Sequence, residues 1–152
     1  MPQVMSDTKK EAQTYFESSI VNKLIEEHRK IHKDKFIAAL VHGSLASGKS
    51  TGDIDILEIV EGWEKAEVNP AVIEFGVAKE LLQRGKLHLL LLSPEELERL
   101  AEQFHPAIVG IAEYHKVCFD KRGNYVEKLL SEVNEKVNKA RANSLAEAIY
   151  GG

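Results

Sequence analysis

Between Gly43 and Gly52 the chain holds three of its ten glycines and four hydroxyl residues, so no long regular element can run through this stretch. Short apolar runs bound it on both sides. Phe36 to Val41 reads as a buried strand, and Asp53 to Val60, where carboxylates alternate with β-branched residues, reads as a second. Leu87 to Leu92 is a third, nearly all apolar apart from His88. A loop of fixed composition between two strands is the feature around which the rest must be arranged.

Helical patterns surround these strands. Thr8-Lys9-Lys10-Glu11 reads as a capping box. Behind it Tyr15, Phe16, Ile20, Leu24, Ile25 and Ile31 recur at helical spacing, which predicts a helix over about 8–32 that ends near His32. Asn69-Pro70 supplies an N-cap and an N1 proline for a helix to about Arg84, closed by Gly85. Ser93-Pro94-Glu95-Glu96 is a second capping box, and His105-Pro106 restarts a helix. Val117 to Phe119 reads as a short edge strand. Asn124 with Glu127 caps a last helix over about 125–149, whose Val126, Leu129, Leu130, Val133 and Val137 form one apolar stripe. That stripe can pack on its own domain or face a partner. The expected class is α+β: a small mixed β-sheet with flanking helices, plus N- and C-terminal helices. At 152 residues one domain is expected over 1–152, with a core of about 36–120.

Composition removes several function classes. With 43% hydrophobic and 29% charged residues the chain is no disordered polar tract. One cysteine, Cys118, forms no intramolecular disulfide, and a reducing, cytoplasmic setting is expected. The first residues lack a secretory apolar core and no apolar run nears the roughly 18 residues of a membrane span, so no membrane partner is expected. Acidic residues outnumber basic ones by 24 to 20, and a net charge of -4 does not indicate nucleic acid.

Two chemistries compete for the stretch from His42. Gly43, four residues, then Gly48, Lys49 and Ser50 match the P-loop pattern, which works only where a strand leads into a helix N-terminus. Asp53 follows too soon for that helix. The other reading joins Gly43-Ser44 to Asp53-Ile54-Asp55. Residues two apart on a strand face one way, so two carboxylates stand side by side. Ionising both is costly unless a cation lies between them. Hard divalent ions take carboxylate oxygens plus substrate phosphates. Gly43 permits close backbone approach, and Ser44 offers an N–H and a hydroxyl to phosphate.

His42-Gly43-Ser44 with Asp53-Ile54-Asp55-Ile56 resembles the signature of the DNA polymerase β-type nucleotidyltransferases, in particular their small stand-alone prokaryotic members. The resemblance runs from about Phe36 to Asp120. It implies that Gly43 and Ser44 bind nucleotide phosphate and that Asp53 and Asp55 are catalytic residues that ligate Mg²⁺ or Mn²⁺. On the strand where the family usually carries a third carboxylate, this chain has His88, which can ligate metal or take a proton and is the third catalytic candidate. Ser47 stands where an arginine often precedes the glycine, and Lys49 can supply the nucleotide-binding cation instead. The implied activity is transfer of a nucleoside monophosphate from a nucleoside triphosphate such as ATP to an acceptor hydroxyl. The alternative is a catalytically degenerate, antitoxin-like regulator that binds nucleotide or a small helical protein partner. The P-loop NTPase is the third reading.

Other residues have plainer expected roles. His28 and His32, four apart, read as part of a solvated helix face; the run His28-Arg29-Lys30 with Lys33 can touch phosphate backbones, but its cations are what a helix C-terminus favours anyway. Cys118 reads as a buried small residue. His42 can orient Asp53, contact nucleotide or pack. Among substitutes for the third acid, Glu58 points away from Asp55 by strand alternation, leaving Glu61 and Glu64.

Overall fold

The computed structural model describes residues 19–43, 46, 53–63 and 87–150. Helix α1 covers 19–32, and a 3-10 turn, Lys33–Lys35, leads into β1, Phe36–His42. Then come β2, Ile54–Val60, and β3, Leu87–Leu92. Helices α2, Pro94–Glu102, and α3, Pro106–Glu113, precede β4, His115–Asp120, and α4, Tyr125–Tyr150, closes the chain. The sheet order is β3-β2-β1-β4. β1 pairs antiparallel with β2 and β4, while β2 and β3 are parallel. This is the expected α+β class with a mixed sheet and flanking helices. The helix expected over Asn69–Arg84 and the capping box at Thr8 lie outside the described residues. No described helix is long and apolar enough to cross a membrane.

Each face of the sheet carries its own core. Leu40, Leu57, Ile59 and Leu92 pack with Leu97 of α2, Ile108 and Ile111 of α3, and Val126, Leu130 and Val133 of α4. On the other face Phe36, Ala39, Val41, Ile54, Ile56 and Val60 pack against Val21, Leu24 and Ile25 of α1. Both central strands are therefore buried on both sides, which is why β1 reads as a near-continuous apolar run and β2 is apolar apart from Asp55 and Glu58. The stripe on α4 packs on its own domain through Val137; further along, Leu145 and Ile149 are exposed.

Local signals explain the helix ends. Ser93 accepts from the Glu96 N–H while the Glu96 carboxylate accepts from the Ser93 N–H, the capping box foreseen in the sequence. Glu96 also takes the Trp63 indole N–H at 3.0 Å, tying the turn after β2 to the start of α2. At α4 the expected cap is corrected. Asp120 accepts from the Val126 N–H at 2.9 Å, and the Glu127 carboxylate turns instead to His115. An acid at the end of β4 thus replaces Asn124 as the cap.

Two further expectations are overturned. His28 and His32 are not on a solvated face: they continue the stripe of Val21, Leu24 and Ile25 at helical spacing and are 1% and 6% exposed. His28 Nδ1 lies 2.5 and 2.6 Å from the two oxygens of Glu58, itself wholly buried. His32 stacks on Phe36, and neither of its nitrogens has a hydrogen-bond partner among the described residues. Burial, then the charges of His28 and Lys35, holds its pKa below 6.5. Cys118 is exposed rather than buried. The β1–β4 register passes from Phe119 to Val117 between Ala39 and Leu40, so Cys118 is the residue skipped by a bulge. Its thiol pKa is raised by partial desolvation of the sulfur, which makes it a poor nucleophile.

Removing one member of a buried ion pair strands the other, at a cost of about 3–5 kcal/mol, whereas apolar replacement of both is often neutral. His28→Ala should therefore lose about that much stability in urea unfolding followed by Trp63 fluorescence, and His28→Leu with Glu58→Leu should recover most of it. A second expectation concerns pH. His32 is kept neutral in the fold while the unfolded chain takes up a proton near pH 6.5, so the unfolded state binds more protons below that value. Stability should fall as pH drops from 6.5 towards the depressed pKa, and His32→Phe should flatten that slope in thermal melts at stepped pH.

Candidate functional site

β1 ends at His42, and the chain turns at Gly43 with φ +71, a conformation that side chains rarely adopt. The turn carries the backbone onto a carboxylate. A Cβ placed on Gly43 would lie 2.5 Å from Asp55 Oδ2, so any side chain there would have to push that carboxylate aside. Register explains the contact, because His42 of β1 is the partner of Asp55 in β2. Asp53 stands two residues earlier, exposed and immediately before β2, while Asp55 is half-buried.

The same register extends across the sheet. Asp55 pairs with His88 of β3, and His42 pairs with His115 of β4. His88, Asp55, His42 and His115 thus form one row at the strand ends, on the face that carries Leu40 and Leu57. Their individual roles differ. Nδ1 of His115 is 3.0 Å from the carbonyls of Ile111 and Ala112, and Nε2 is 2.8 Å from Glu127, so this ring pins the end of α3 to α4. His88 is exposed. His42 has a buried Nε2 without a hydrogen-bond partner among the described residues. Burial lowers its pKa and outweighs the opposing pull of Asp55; the nearby His88 adds to the lowering.

Of the residues singled out in the sequence, Gly43, Asp53, Asp55 and His88 are brought to one end of β1, β2 and β3, while Ser44 and Lys49 lie outside the described residues. Strand β2 begins at Ile54, with only three residues between it and Ser50, too few for the helix that a P-loop requires. Glu58 is committed to His28, and Glu61 pairs with Arg122 at 3.0 Å, so neither stands in for a third acid. Glu64 lies outside the described residues. Among the described residues no three His, Cys, Asp or Glu side chains form a metal-holding group. Two carboxylates do fit an ion of the Mg²⁺ type, which completes its shell with water and substrate phosphate. Sequence reasoning left His42 open and missed His115; strand pairing, not spacing, joins them to Asp55.

No protein-family model matches the sequence, and a search of curated proteins returns no match. Solved structures do resemble it in fold. A chain described as a nucleotidyltransferase from Sulfolobus solfataricus is 18% identical over 74% of this chain and 87% of that one, with a TM-score of 0.47. A chain from the complex of a tri-AMPylated HEPN toxin with its MNT antitoxin, from Shewanella oneidensis, is 13% identical over 90% and 94%, with a TM-score of 0.44. A toxin–antitoxin complex with AMP-PNP is 16% identical over 84% and 93%, also at 0.44.

Gly43→Ala should separate backbone strain from site damage. Alanine at positive φ costs roughly 1–2 kcal/mol, and here its methyl must also displace the Asp55 carboxylate. Gly62 has φ +58 with nothing near its Cβ position, so Gly62→Ala carries only the strain. Urea unfolding should show a larger loss at Gly43.

Proposed function

We propose that the chain is a metal-dependent nucleotidyltransferase that moves a nucleoside monophosphate from a nucleoside triphosphate to an acceptor hydroxyl. The observation that carries this reading is the Gly43 turn laid directly against Asp55, which brings backbone able to hold phosphate beside a carboxylate. Gly43 and Ser44 would hold the phosphates through N–H groups and the Ser44 hydroxyl, with Lys49 as the countercharge. Asp53 and Asp55 would hold Mg²⁺ or Mn²⁺. When bound, such an ion offsets charge on the triphosphate and on the departing pyrophosphate. The acceptor oxygen bonds to the α-phosphorus as the bond to the bridging β-phosphate oxygen breaks, and pyrophosphate leaves. The hydroxyl proton passes to the His88 imidazole, in register with Asp55 at the same strand ends.

One observation favours the second reading, a nucleotide- or partner-binding regulator: the β3 position beside Asp55 is a histidine and not an acid. The exposed far end of α4, with Leu145 and Ile149, would then offer a surface to a small helical protein.

The test combines binding with transfer. Asp53→Asn with Asp55→Asn should leave the metal-free fold as stable as the parent or slightly more so, since two crowded anions repel. With Mg²⁺ and a non-hydrolysable triphosphate at 100 times Kd, the parent should gain about 2.7 kcal/mol, and the double variant nothing. Incubation with α-labelled triphosphates and candidate acceptors should move label in the parent alone. Binding without transfer under any acceptor establishes the regulator. Equal thermal shifts in parent and double variant would remove Asp53 and Asp55 from the site.

A further inference from the structure

A second concave surface lies at the opposite end of the strands and on the opposite face of the sheet. Its floor is aromatic: Phe36 of β1 and Phe119 of β4 have ring centroids 5.8 Å apart. The Arg29 guanidinium lies 4.1 Å from the centre of the Phe119 ring, a cation–π stack. Lys30, Lys33 and Lys121 complete the basic rim of a cavity of about 370 Å³. This is at the small end of ligand cavities. Two exposed acids, Glu26 and Asp34, also line it. Glu26 lies 3.2 Å from Arg29, and Lys121 is fixed through a 2.8 Å bond to the Asp34 carbonyl. Cations therefore outnumber acids four to two among the residues lining the cavity.

We infer that this groove binds single-stranded nucleic acid, one base stacked on the Arg29–Phe119 platform and the flanking phosphates on Lys30, Lys33 and Lys121. Two independent features point to such an occupant. A guanidinium centred 4.1 Å over a ring can offer its outer side to a base, as single-strand binders use arginine and aromatic planes together. Lys33 sits at φ +53, where glycine would be unstrained, so a cation is held at the rim at a conformational cost. An acidic peptide would use the charges but has no use for the flat face. The chain's net charge of -4 confines the attraction to this local patch, so the complex should be short and strongly salt-dependent.

The test is fluorescence anisotropy with a labelled octaribonucleotide and the full chain. With three phosphate contacts, single-strand affinity should fall roughly 20-fold between 50 and 200 mM salt. Arg29→Ala should weaken binding several-fold by removing the platform. Lys33→Gly should weaken it too, with a shallower salt slope, while relieving backbone strain; its melting temperature should match or exceed the parent's, so lost binding cannot be lost folding. Asp53→Asn with Asp55→Asn should bind the oligonucleotide as the parent does, which keeps this groove separate from the proposed triphosphate site. No binding at 50 mM salt overturns the inference. So does binding insensitive to Arg29→Ala and Lys33→Gly, or an acidic peptide that competes equally and shows the same variant sensitivity.

Discussion

The antiparallel register of β1 on β2 is the constraint on which the rest of the structure depends. Both strands are buried on both faces, so a slip by one residue would exchange the two cores completely. Glu58 makes the penalty specific. In the observed register it meets His28 of α1; displaced to the other face, it would enter the packing of α2, α3 and α4 as a bare carboxylate. The same register sets His42 opposite Asp55 and brings the Gly43 turn onto the Asp55 carboxylate. The requirement that orders the core thus also builds the candidate site.

Two acids three residues apart on one strand meet opposite fates. Glu58 is sealed in and satisfied by a single histidine contacting both its oxygens. Asp55 sits at the strand end, half-buried, beside a histidine that burial keeps largely neutral. One acid is spent on holding α1 to the sheet, and the other lies against the Gly43 turn. Alternation along the strand makes this division possible without any change in residue type.

Much of this was legible in the sequence. The Ser93 capping box, the end of α1 at His32, the α4 stripe and the orientation of Glu58 away from Asp55 all follow from local chemistry or a fixed period. Gly43 and the Asp53-Asp55 pair were visible because a glycine turn and a two-residue spacing have few uses together. What was hidden depends on pairing. Spacing cannot say that a polar residue belongs to the buried stripe, so His28 and His32 were assigned to water. The bulge that exposes Cys118 is a property of two strands, not one. The Asp120 cap lies four residues upstream of the position that capping rules inspect. His115 joins the row only because β4 pairs with β1.

A sheet covered on both faces leaves its strand ends and edges for chemistry. At one end every strand carries a polar residue at or next to its terminus: His42 closes β1, Asp55 is second in β2, His88 second in β3, and His115 opens β4. At the other end Phe36 and Phe119 keep an aromatic surface beneath the cations that finish α1. Those cations suit the negative end of a helix dipole in any case. The dipole accounts for their sign but not for the ring beneath Arg29 or the left-handed backbone at Lys33. The two ends therefore differ in charge, one with acids among imidazoles and one basic with an aromatic floor, and the roughly 20 Å length of a seven-residue strand keeps them apart. A metal-bound triphosphate at the first would not compete with a polyanion at the second, and a polymer bound along the groove would reach the first only by running the length of the sheet.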